Sequence, residues 1–97
     1  MYARVARFTG ADPEMLRRNV EGIRERSASG PPEGVPGTAF KLLADEANGT
    51  VIAIGFFETE EDMKTGDATL NEMSPPEGEM GSRTSVDLCE VKIDVSA

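Results

Sequence analysis

Residues 38–63 read TAFKLLADEANGTVIAIGFFETEEDM, and the way this stretch divides decides the fold. Thr38–Ala44 and Thr50–Glu58 are strand-like runs joined by DEANG, where Asn48-Gly49 supplies the positive φ angles of a tight hairpin turn. The two strands are therefore expected to be antiparallel neighbours. Val51–Phe57 is apolar on both faces apart from Gly55, which suits a central strand covered on both sides. Thr59 then reads as a helix cap, with Glu60, Glu61 and Asp62 in the first turn and Asp62 placed to complete a capping box. Met63, Gly66, Leu70 and Met73 recur at i, i+3, i+7 and i+10, so this helix buries a narrow, soft face. Gly66 on that face costs about 1 kcal/mol of helix propensity relative to Ala. Either a close backbone approach or a break at a ligand cleft accounts for it.

Working outward, YARVARFT at residues 2–9 alternates as a strand, with Arg4 and Arg7 on opposite faces. Asp12-Pro13-Glu14 is a helix start, because Asp accepts first-turn amides, Pro needs no amide partner there, and Glu14 favours the positive helix end. Leu16, Val20, Ile23 and Ser27 continue it as one stripe to about Ala28. Ser29–Gly37 and Ser74–Ser82 are Pro- and Gly-rich loops, each containing PPEG between a helix and the next strand. The last strand, Arg83–Val95, changes apolar phase near Cys89 and Glu90, the signature of a bulge, and its far end is long enough to pair with a neighbouring chain. The order βαββαβ predicts one α+β domain over residues 1–97. It is ferredoxin-like, a four-stranded antiparallel sheet with both helices on one face. The third strand is apolar on both faces, so the open sheet face is expected to meet a partner.

Eighteen acidic residues against 10 basic give a net charge of −8, which argues against nucleic acid and anionic membranes as partners. No apolar run approaches the roughly 20 residues of a membrane span, and the N-terminus lacks a signal-peptide block, so a cytoplasmic protein is expected. Leu, Ile, Val and Phe supply only 20 of 97 residues, a thin core that favours a homodimer. Cys89 is the single cysteine and there is no histidine. The usual zinc sets, His-ligated haem and histidine-based catalysis are thereby excluded, and neither a metal nor a cofactor is expected.

The opening YARVARF, the segment VPGTAFKLLADEANGTVIAIGFFETEEDM and the closing VDLCEVKIDV together resemble the antibiotic biosynthesis monooxygenase-like group of the dimeric α+β barrel superfamily. The resemblance implies two ferredoxin-like sheets packed face to face. It also implies a cleft between sheet and helices, where an electron-rich, phenolate-like substrate reacts with oxygen without metal or flavin. Phe57 stands where many relatives are expected to carry Trp. Two functions follow as expectations: a cofactor-independent, monooxygenase-like enzyme acting on a small aromatic or polyketide-like compound, or a non-catalytic dimeric module that binds a small ligand or serves in stress.

Candidate ligand contacts are Phe56, Phe57 and Met63 as an apolar lining, with Gly66 as the point where side-chain volume is removed. Arg4, Arg7 and Arg83 are candidates to anchor an anion, and Asn71 is an amide able to face the cleft. The bland alternatives are that the aromatic and Met residues are simply core and that the arginines snorkel or pair with the abundant carboxylates. Glu58, Glu60, Glu61 and Asp62 resemble hard-cation ligands, but they lack ion-binding loop spacing and are explained by a helix N-terminus.

Overall fold

The computed structural model describes residues 1–28, 30, 34–72 and 81–96. The elements are β1 (Tyr2–Thr9), α1 (Pro13–Ser27), β2 (Ala39–Asp45), a 3-10 turn (Glu46–Asn48), β3 (Thr50–Phe57), α2 (Glu60–Glu72) and β4 (Ser82–Glu90). They form one antiparallel sheet in the order β2-β3-β1-β4, the expected ferredoxin-like arrangement. The apolar strand β3 lies inside the sheet, between β2 and β1.

Both helices begin as the sequence dictates. The Asp12 carboxylate accepts the amides of Glu14 (2.9 Å) and Met15 (3.4 Å), with Pro13 in the first turn. The Thr59 hydroxyl accepts the amide of Asp62 at 3.0 Å, one half of the expected capping box; the Asp62 carboxylate does not return a bond to the Thr59 amide. Strand alternation then sorts the sheet into two faces. Arg4, Ala6 and Phe8 of β1 share the helix side with Val51, Ala53, Gly55 and Phe57 of β3, whereas Ala3, Val5 and Arg7 share the open side with Ile52, Ile54 and Phe56. The helix side holds two core clusters. Leu16 of α1 packs with Ala6, Phe8, Ala11 and Val51, while Met63 of α2 packs with Val35 and Phe57. On the open side Val5, Ile52, Ile54 and Phe56 are only half-buried and Leu43 is exposed.

Three expectations need correction. The hairpin is not a two-residue Asn-Gly turn: Asn48 has no positive φ, and the chain instead reverses through the 3-10 turn with Gly49 left-handed at φ 66°. A Cβ at Gly49 would also strike the Ala11 backbone, whose amide donates to the Gly49 carbonyl at 3.2 Å. Second, β4 ends at Glu90 and not at Val95. Its pairing with β1 ends at Tyr2 opposite Glu90, and beyond the Val91 amide's bond to the Met1 carbonyl (2.9 Å) the strand pairs with no other strand among the described residues. Ile93 and Val95 are 83% exposed as a result. Third, the bulge lies at the other end of β4. Arg7 pairs with Ser85 but Phe8 pairs with Arg83, leaving Thr84 as the extra residue, its hydroxyl donating to the Arg7 carbonyl at 3.3 Å. The PPEG segments, apart from Gly34, and Met73 lie outside the described residues.

Candidate functional site

A polar cluster occupies the sheet-helix interface where β1, α2 and the start of β4 meet. Arg4 points to the helix side of a central strand, and its side chain is only 7% exposed. Its Nε donates to Asp67 Oδ1 at 2.7 Å and its Nη2 donates to Asn71 Oδ1 at 3.2 Å. Asp67 and Asn71 are four residues apart on α2, so one helix face presents both. Arg83 joins from β4, its Nη1 donating to the same Asn71 Oδ1 at 2.6 Å. Two guanidinium groups thus converge on one amide oxygen. Asp67 is the one carboxylate bonded to either of them among the described residues. No fully buried polar side-chain atom among the described residues lacks a partner.

The apolar candidates divide between the two faces. Phe57 is fully buried on the helix side and Met63 packs against it. The Phe57 ring lies between two glycines: a Cβ at Gly55 would come within 3.3 Å of Cε2, and one at Gly66 within 2.6 Å of Cε1. Gly66 is therefore a close approach of helix to aromatic ring, and the volume it releases is filled by Phe57. Gly66→Ala is expected to lower the melting temperature, because overpacking of typically 1–3 kcal/mol exceeds the roughly 1 kcal/mol gained in helix propensity. A melting temperature raised by this substitution would contradict the packing.

Arg7 and Phe56 lie on the open face, away from Arg4. Arg7 is exposed, opposite Ile52 and Ser85. Of the eight contacts the sequence suggested, Arg4, Arg83 and Asn71 form the polar cluster, Phe57, Met63 and Gly66 form the packing beside it, and Arg7 and Phe56 take no part in either. Asp67 was not foreseen. Its signal was its i, i+4 spacing from Asn71 next to the buried Gly66.

Two shallow hollows lie elsewhere, one on the outward side of α2 beside Glu60, Lys64 and Ala68, the other on α1 beside Glu14, Arg17 and Glu21. Among the described residues no three His, Cys, Asp or Glu side chains converge as metal ligands, and no helix is long and apolar enough to cross a membrane. No protein-family model matches the chain, and no curated protein or solved structure matches it significantly. The class defined by the structure is an α+β ferredoxin-like domain with one buried arginine, Arg4, held under α2.

Proposed function

We propose that the protein is a homodimer, joined through its open sheet faces, that binds a small organic anion at the Arg4–Asn71–Arg83 cluster. The observation that carries the ligand reading is the convergence of two guanidinium groups on Asn71 Oδ1, with Asp67 the one carboxylate bonded to them among the described residues. Like charges held this close favour a bound anion, and guanidinium suits carboxylate or phenolate oxygens. Leu88, opposite Arg4 on the edge strand β4 and 42% exposed, offers an apolar contact for the ligand body. The half-buried Val5, Ile52, Ile54 and Phe56 support the dimer reading, since a second sheet would cover them. An exposed free thiol at Cys89 suits the reducing cytoplasm.

Titration with a naphthalene sulfonate tests the ligand site. Arg83→Gln is expected to weaken binding about tenfold or more, as loss of a charge-assisted contact does. Arg7→Gln on the opposite face should leave it unchanged. Equal binding by Arg83→Gln and wild type would overturn the assignment.

A second reading, a cofactor-free oxygenase, is favoured by the same placement, because an aromatic held by guanidinium groups is stabilised as the phenolate that reacts with oxygen. Oxygen uptake with an electron-rich dihydroxyaromatic, abolished in Arg83→Gln, would select it over simple binding.

A further inference from the structure

Four open-face residues form one row across the sheet: Lys41 is opposite Ile54, Ile54 opposite Val5, and Val5 opposite Asp87. From the β2 edge to the β4 edge the row reads cation, apolar, apolar, anion. Lys41 and Asp87 are both exposed, and neither enters an ion pair among the described residues. We propose that a second copy of the chain docks on this face about a two-fold axis parallel to the strands, above the seam between β3 and β1, so that Lys41 of each protomer meets the partner's Asp87. The proposal rests on the dimer reading above and specifies its geometry.

Half a turn about such an axis keeps every residue at its level along the strands while exchanging β2 with β4 and β3 with β1. Each row is then laid on its own reverse. The charged ends meet opposite charges at two symmetric places, and Ile54 lies over the partner's Val5. In the adjacent row Phe56, the bulkiest side chain of the face, lies over the partner's Ala3, one of the smallest. An in-plane axis perpendicular to the strands would set each strand on its own copy, bringing Lys41 toward the partner's Lys41 and Asp87 toward the partner's Asp87. The charge pattern therefore distinguishes the two ways of stacking the sheets.

The dimensions allow the contact. Strands about 4.8 Å apart put each edge about 7 Å from the seam, and sheets pack about 10 Å apart. The usual offset of about 30° between stacked sheets moves the row ends by only about 4 Å, within the reach of a lysine. Strands β2 and β4 also run in opposite directions, because each successive neighbour in the sheet is antiparallel. The axis along the strands preserves direction, so the β4 edge meets the partner's β2 edge antiparallel.

Charge reversal on the full chain tests this, read by sedimentation equilibrium, with circular dichroism to confirm that each variant is folded. Lys41→Glu and Asp87→Lys are each expected to raise the dimer dissociation constant about tenfold, since two attractive pairs become repulsive. The double variant is expected to return to within about threefold of wild type. A dimeric wild type with unaffected single variants, or with a double variant no better than the singles, would overturn the axis and leave the dimer standing. A monomeric wild type would overturn the dimer reading itself.

Discussion

Ile54→Asp is expected to raise the dissociation constant of the dimer by on the order of a thousandfold or more, leaving a folded monomer in sedimentation velocity. Ile54 sits at the centre of the open face, opposite Val5 on β1 and Lys41 on β2. In the dimer an aspartate there would be taken out of water opposite the partner's Val5, and twice by symmetry. In the single chain Ile54 is only half-buried, so the carboxylate can reach water and the fold persists. Ile52 and Ile54 share the open side of β3, and Val51 and Ala53 its helix side. Val51 is fully buried against Leu16 and Phe8 and is closed to a partner. An Ile54→Asp protein that remained dimeric would show that the open face is not the interface.

Asp67→Ala is expected to cost about 3 kcal/mol in urea unfolding, the range seen when one member of a buried ion pair is removed. Its effect comes through Arg4, whose 7%-exposed side chain would keep Asn71 but lose its carboxylate. Asp67 itself is 23% exposed, which lets some water reach the abandoned guanidinium and places the cost toward the lower end of that range. Arg4→Met in the Asp67→Ala background should recover most of the loss, because removing both charges leaves no unpaired group. A loss within about 0.5 kcal/mol for the single variant would mean that the pair does not hold α2 to the sheet.

Much of the fold was legible because its signals are local. Asp12-Pro13-Glu14, Thr59 with the acidic run after it, and the two-sided apolarity of Val51–Phe57 each act within a few residues. The end of β4 was not legible for a reason that local pattern cannot carry. Val91, Ile93 and Val95 alternate as well as any strand in the chain, but a strand needs a neighbour, and the pairing with β1 ends at Tyr2 opposite Glu90. The site was half legible. Arg4 stood out as an arginine on a central strand, and Asn71 as an amide on the helix. Asp67 was hidden among 18 acidic residues, most of which have no reason to be anything but solvated. Gly66 was flagged correctly as unusual, but only the position of the Phe57 ring shows that the missing side chain makes room for the core.

The most direct test of the central claim is the mass of the wild-type protein in solution at micromolar concentration, by sedimentation equilibrium. The open face and its reversed charge row lead to a species of twice the 10.4 kDa chain mass. A well-folded species of 10.4 kDa would contradict it.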